Sequence, residues 1–82
     1  MGLNLVIVSP EKQLFEGEVQ GVTVPGAQGR FEVLVNHAPI ISSLNKGTVV
    51  YRTAKGEETL EIDRGFIEVS NNKVSLCVEQ DN

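Results

Sequence analysis

The chain has no tryptophan, one cysteine, one histidine and no run of basic residues, and each scarcity removes a class of function. Cys77 has no second thiol to pair with, so no disulfide closes within the chain and a reducing compartment is expected. Cys77 and His37 are the whole supply of thiol and imidazole, too few for the three or four ligands of a zinc site, and no metal is expected. Seven Lys and Arg stand against eleven Asp and Glu, a formal net charge of -4. That sign argues against a protein held on a nucleic-acid backbone. Three Phe and one Tyr are too few for a base-stacking platform, which removes the oligonucleotide-binding barrel. No nucleophile motif surrounds His37 or Cys77, and the phosphate-loop and dinucleotide glycine patterns are absent. Neither a catalytic residue nor a cofactor is expected. No apolar run is long enough to span a bilayer, and Met1-Gly2-Leu3-Asn4 has none of the regions of a signal peptide. Membrane association is therefore expected only through a partner.

Also missing is any sustained helical period, internal repeat or linker. What is present is short β-prone runs punctuated by Gly, Asn and Pro turns at near-regular spacing, the pattern of an all-β sandwich or barrel. Leu3–Val8 alternates as a strand and Ser9-Pro10-Glu11-Lys12 turns. Gln13–Glu16 continues extended until Gly17 breaks it, with Leu14 and Phe15 over a sheet edge. Val19–Val24 follows, and Gly21 within it marks a bulge or a close backbone approach. Further strands are expected at Phe31–Val35, Ile40–Leu44, Thr48–Thr53, Thr59–Ile62, Phe66–Val69 and Lys73–Val78. Asn45-Lys46-Gly47 reads as a hairpin turn, as do Lys55-Gly56 and Asp63-Arg64-Gly65. Asn71-Asn72 suits the positive φ of a hairpin, and Glu79–Asn82 reads as a frayed polar end. With 82 residues the chain is expected to form one domain, 1–82, whose folding buries roughly 60% of the unfolded surface.

The most structured stretch is Val24–Pro39. Pro25, Gly26 and Gly29 build a tight turn, a short strand follows, and Asn36 and Pro39 close it. Arg30 beside two glycines reads as a contact residue, while Phe31 alternates with Val33 and Val35 and is expected to face the core. His37 has two readings: a ring packed under its turn and bonded to backbone, or a ring on a partner-facing surface. Cys77, between Leu76 and Val78, reads as a small residue packed in a sheet. Glu57, Glu58, Glu61, Asp63 and Glu68 read as solvated strand faces. Lys55 at a hairpin tip resembles the modified Lys of lipoyl and biotinyl carrier domains. Its context, Thr53-Ala54-Lys55-Gly56-Glu57, lacks the flanking residues of those families, and the competing reading is a solvated turn lysine.

Several stretches together resemble the epsilon subunit of the bacterial F-type ATP synthase, specifically its N-terminal β domain. They are Val8-Ser9-Pro10-Glu11, Leu14-Phe15-Glu16-Gly17, Val24-Pro25-Gly26-Ala27-Gln28-Gly29, Asn36-His37-Ala38-Pro39-Ile40-Ile41, and Gly65-Phe66-Ile67-Glu68-Val69 with Asn72-Lys73-Val74. The match spans nearly the whole chain, and the His-Ala-Pro turn after the Gly turn is its most specific part. The resemblance implies a flattened sandwich of about ten short strands and a non-catalytic rotor part without a cofactor. Such a part links the gamma subunit of the central stalk to the polar loops of the membrane c-ring, with the alpha and beta catalytic subunits reached only indirectly. In a proton- or sodium-driven synthase it would sit peripherally on the cytoplasmic face of the bacterial inner membrane. Carried over position by position, Gln28, Gly29 and Arg30, with Glu32 beside them, become c-ring contacts, and Ser9 and His37 become gamma-facing.

Some positions depart from the family. An acidic residue often stands where Arg30 does and meets an Arg of the ring, so like charges would meet unless Glu32 or a different ring loop compensates. Asn36 replaces a frequent Gly, and Arg64 a small residue. Many relatives continue into a C-terminal helical hairpin that restrains ATP hydrolysis and in some binds ATP. A chain ending at Asn82 is expected to lack that domain.

Overall fold

In the computed structural model residues 2–80 are described. They form nine strands and no helix: β1 (Leu3–Val8), β2 (Gln13–Val19), β3 (Gly21–Gly26), β4 (Gly29–Val33), β5 (Ile40–Leu44), β6 (Gly47–Thr53), β7 (Gly56–Ile62), β8 (Arg64–Ser70) and β9 (Lys73–Glu79). Hydrogen bonding runs β2-β1-β9-β8-β5-β3-β6-β7, with β4 added on β3. The link between β5 and β3 is a single residue pair, Gly26 with Leu44. The path folds over at that thin join, so β2-β1-β9-β8-β5 forms one layer and β4-β3-β6-β7 the other. The result is a flattened sandwich with principal extents of 35 × 27 × 18 Å, one strand short of the approximate expectation.

Alternation explains which side of each strand is covered. Leu3, Leu5 and Ile7 of β1, Ile67 and Val69 of β8, and Val74, Leu76 and Val78 of β9 point inward from one layer. They meet Val22 and Val24 of β3, Val33 of β4, Val49 of β6 and Ile62 of β7 from the other. The interior is wholly aliphatic, and each such side chain contributes about 1.5–3 kcal/mol by leaving water. Aromatic rings close the rim: Phe15 and Tyr51 tilt against each other with centroids 4.7 Å apart, covering the open side between β2 and β6.

Turn chemistry follows the residues available. Asn71 and Asn72 have φ of 52° and 62°, the paired left-handed angles of a type I′ hairpin. In the Ala27-Gln28 and Ala54-Lys55 loops the loop residues keep negative φ. The next residue, Gly29 (φ 124°) or Gly56 (φ 126°), supplies the positive angle, the arrangement of a type I turn with a glycine bulge.

Several boundaries differ from the sequence reading. Gly17 does not break its strand: it pairs with Leu5 inside β2, with the Phe15 ring lying over it. The break falls at Gln20, whose N–H donates to Arg52 O at 2.8 Å. Gly21 is no bulge but a close approach, because a Cβ there would meet the Arg52 guanidinium and Leu34. Asn45-Lys46 and Asp63 are not hairpin turns. They carry the chain from one layer to the other, since β5 does not pair with β6, nor β7 with β8. Nor is the β9 end frayed as far as it is described: Glu79 ends a strand paired with Arg64 and Gln80 Nε2 donates to Glu61 O at 2.7 Å. Residues 81 and 82 lie outside the described residues.

Candidate functional site

No buried side-chain polar atom among the described residues lacks a partner, and no three His, Cys, Asp or Glu side chains gather as a metal would require. The chemistry of this chain is therefore sought on its surfaces.

The β3–β4 hairpin is one such surface. Its foot is fixed to the body by Ala27 N donating to Ser43 O (3.0 Å) and Asn45 N donating to Pro25 O (2.8 Å). The Phe31 ring, half-buried against the core as expected, fills the space where a Cβ of Gly26 would stand. Gln28, Gly29 and Arg30 are exposed at the tip. Arg30 folds back over the outer face and donates from Nη1 to Thr48 O at 2.8 Å. Glu32, also exposed and on the same face, is held by Arg52 at 2.9 Å. Sequence reasoning thus names four residues that the fold brings to one hairpin, while the Arg52 pairing is visible only once β6 lies beside β3.

Ser9 and His37 lie on the other layer and are not brought together. Ser9 N donates to Lys12 O at 2.8 Å, and its hydroxyl also serves that turn. His37 closes the Leu34–His37 turn by donating its N–H to Leu34 O at 3.1 Å, with Asn36 at φ 68° where a type II turn needs a positive angle. Its Nδ1 lies 2.7 Å from Ala38 O, so Nδ1 carries the proton and donates. The ring is half-exposed, bonded to backbone yet open on one side. Asn36 N donates to Asn72 Oδ1 at 2.6 Å and Asn72 Nδ2 donates back to Asn36 Oδ1 at 3.2 Å, a clasp that ties the His37 turn to the β8–β9 hairpin. β1 starts beside Asn72, whose O accepts from Asn4 N, and ends at Ser9. His37 and Ser9 are therefore at opposite ends of one layer, separated by the length of β1, about 20 Å.

Between them lies the feature that sequence reasoning missed. Outward positions in register across the layer are Val8, Cys77, Phe66 and Ser43, and in the next row Val6, Ser75, Glu68 and Ile41. Phe66 is 62% and Ile41 76% exposed. Toward the Ser9 end a shallow groove is lined by Val8, Pro10, Phe66, Cys77 and the Leu44-Gly65 pair. Cys77 is exposed, not packed within the sheet, because Leu76 and Val78 occupy the inward positions of β9. The signal available in sequence was parity: Phe66 neighbours inward Ile67 and must face out.

Lys55 stands exposed at the β6–β7 tip, in a turn organised by Thr53 Oγ1, which accepts from Lys55 N at 3.1 Å. Nearby, burial raises the Tyr51 phenol above its ordinary 10.0, and the charge of Glu58 adds to the rise.

A family described as "ATP synthase, Delta/Epsilon chain, beta-sandwich domain" matches residues 2–80. The ATP synthase epsilon chain of Leptospira borgpetersenii serovar Hardjo-bovis is 40% identical over 77 residues, covering 94% of this chain and 61% of that protein. The ATP synthase epsilon chain of Chlorobaculum tepidum is 43% identical over 78 residues, covering 94% and 89%. The chain thus spans less than two thirds of the Leptospira relative's length and most of the Chlorobaculum one's. Among solved structures, a chain of the Euglena gracilis mitochondrial ATP synthase (OSCP/F1/c-ring) superposes with a TM-score of 0.87 at 20% identity, over 94% of this chain and 50% of that one. A chain of the central stalk/c-ring structure of the Tetrahymena thermophila mitochondrial ATP synthase gives 0.82 at 11% identity, over 98% and 65%. These two show a shared fold. By the family match over residues 2–80 and by relatives at 40% identity and above, the chain belongs to the ATP synthase delta/epsilon β-sandwich family.

Proposed function

We propose that this chain is a non-catalytic rotor part of a proton- or sodium-translocating F-type ATP synthase that joins the gamma subunit to the membrane c-ring. The observation that carries the reading is the presence of two exposed surfaces on different elements, which adjoin where Ala27 N of the hairpin donates to Ser43 O beside Phe66. The outer face of β1-β9-β8-β5 offers exposed Phe66 and Ile41 to a protein partner, beside Val6, Val8 and Cys77 and among Ser43, Ser75 and Glu68, since exposed apolar patches rimmed by polar residues mark interaction sites. The β3–β4 hairpin projects Gln28, Gly29 and Arg30 from one end of the sandwich. One chain can then hold a stalk subunit on its face and a ring loop at its end at the same time.

In this reading gamma docks along the apolar face, with Ser9 bordering one end of the footprint and His37 the other, and the hairpin meets the polar loops of the ring. In this reading the described residues act as a wedge, with an aliphatic core and turns braced by hydrogen bonds. Torque passes through it by shape. Catalysis belongs to the alpha and beta subunits, reached through gamma, and the chain sits peripherally on the cytoplasmic face of the membrane. Membership of the family and the likeness to chains of ATP synthase assemblies that contain a c-ring support this reading; the carrier reading of Lys55 has no comparable support.

The test is a tagged pull-down from gently solubilised membranes of the source cells, with partners identified by mass. Recovery of gamma together with ring and catalytic subunits is the expected result. Recovery of an acyltransferase complex, or an intact-mass increase on Lys55, would replace the reading with the carrier one.

A further inference from the structure

A surface patch pairs two copies of one chain across a two-fold axis when it complements itself, because each contact made once is made again in reverse. The outer face of β1-β9-β8-β5 carries such a pattern. Its middle row runs Val8, Cys77, Phe66 and Ser43 in register. The rows on either side differ in charge. Toward one end Glu68 stands beside Ser75, and toward the other Arg64 stands beside Glu79. All four are exposed. Arg64 pairs with Glu79, and a guanidinium has five N–H donors, more than one carboxylate uses. Glu68 has no ion-pair partner among the described residues.

We propose that the free chain pairs with a second copy of itself through this face, with the two-fold axis lying along the Val8-Cys77-Phe66-Ser43 row. Such an axis reverses strand direction and keeps strand order, so β8 stacks antiparallel on β8 of the second copy, and β9 on β9. Phe66 then meets Phe66, and Cys77 meets Cys77. One row away, about 7 Å along the strands, Glu68 comes opposite Arg64 of the second copy and Ser75 opposite its Glu79. Each pairing occurs twice: a carboxylate against a guanidinium, and a hydroxyl donor against a carboxylate. The groove lined by Val8, Pro10, Cys77 and Gly65 leaves space beside Phe66 for the ring of the second copy. The broad face, 35 × 27 Å, is of the size that a specific interface covers, about 800 Å² per partner. The inference goes beyond the rotor reading and does not rest on it. Self-pairing and docking of another partner on this face exclude each other, because both cover Phe66.

The test is sedimentation velocity of the reduced chain alone, with no gamma present. At about 50 μM, where interfaces of this size are filled, the wild type is expected to sediment as a dimer. Phe66→Glu is expected to raise the dimer dissociation constant by at least about tenfold, and Glu68→Arg and Arg64→Glu by about tenfold each. The double variant carrying both charge changes is expected to regain most of the wild-type affinity, since the pair reforms with its signs exchanged. Within one copy the two positions lie about 14 Å apart on β8, too far for that rescue to arise inside a single chain. Cys77, the only cysteine, gives a second reading that needs no change to the face. Stacked sheets lie about 10 Å apart, so a bis-maleimide of about that reach is expected to join two wild-type chains. Cys77→Ser with Thr59→Cys, which moves the thiol to the outer face of β7, is expected not to be joined. A monomeric wild type would overturn the proposal. So would a dimer indifferent to Phe66→Glu, single charge variants without recovery in the double, or equal cross-linking from both faces.

Discussion

The two outer faces of this sandwich are both built from short strands of five to seven residues, yet they are dressed differently. On β4-β3-β6-β7 several outward polar residues engage one another, Arg52 with Glu32 and Thr48 with Glu61, and the one large exposed apolar side chain there among the described residues, Leu34 at 47%, lies beside Arg52 over Gly21. On β1-β9-β8-β5 the outward residues include Val6, Val8, Ile41, Phe66 and Cys77, and Phe66 and Ile41 lie mostly open to solvent. Both faces lie over the same aliphatic interior, so the difference is not demanded by folding. The face that leaves Phe66 and Ile41 exposed, with Val6, Val8 and Cys77 beside them, is the one that fits the docking reading proposed above.

The sharpest break of this comparison uses two adjacent residues. Ile67 is fully buried and Phe66 is its outward neighbour. Ile67→Ala is expected to lower unfolding stability by about 2–5 kcal/mol, read by denaturant titration. Phe66→Ala is expected to change stability by no more than about 0.5 kcal/mol and to weaken gamma binding instead. A large stability loss from Phe66→Ala would mean that its ring supports the sheet and is not a docking group.

A second variant probes how the ends of the apolar face are held. Asn72→Ala removes both bonds to Asn36 and puts alanine at φ 62°. It is expected to cost about 1–3 kcal/mol, and to weaken gamma binding further than its stability effect explains, because the His37 turn loses its brace. His37→Ala alone is expected to weaken gamma binding without loss of solubility; unchanged affinity would assign the ring to its own turn.

The polar face should be the more forgiving. Arg52→Ala breaks an ion pair whose two side chains are each 42% exposed, and the expected change is below about 1 kcal/mol, diminishing with salt. The smallest effect concerns Tyr51. Its folded pKa lies above 10.0 because burial, then Glu58, disfavour the phenolate. The folded state therefore holds the proton more tightly than the unfolded chain. This contribution is complete below about pH 10 and is lost as pH rises through the folded pKa. Stability of the wild type should fall more steeply than that of Tyr51→Phe above pH 10, and parallel curves would contradict the assignment.

Much of this molecule was legible as a sequence because period-two alternation and turn chemistry are local. The strands, the Asn71-Asn72 hairpin and the Gly29 turn follow from residues close in the chain. What stayed hidden was set by distant neighbours. The parallel pairing of β1 with β9 joins opposite ends of the chain, and nothing in either strand announces it. Asn45-Lys46 and Asp63 look like hairpin turns because a corner between layers needs the same polar residues as a turn within one. Gly17 stays in its strand because Phe15 covers it, a tertiary override of a local breaker. For the candidate site, Gln28, Gly29, Arg30 and Glu32, assigned through the family resemblance, share one hairpin because they are near neighbours in the chain. The apolar face was missed because it is assembled from single outward residues of β1, β5, β8 and β9, and their adjacency exists only after the strands are ordered.

The most direct test of the central claim is a titration of purified gamma subunit with four forms of the chain: wild type, Phe66→Glu, Ile41→Glu and, on the opposite face, Arg52→Glu. The account predicts tight binding by wild type and Arg52→Glu and at least about tenfold weaker binding by the other two, with all four folded by circular dichroism. Equal affinity of all four, or loss confined to Arg52→Glu, would contradict it and move the stalk interface to the polar face.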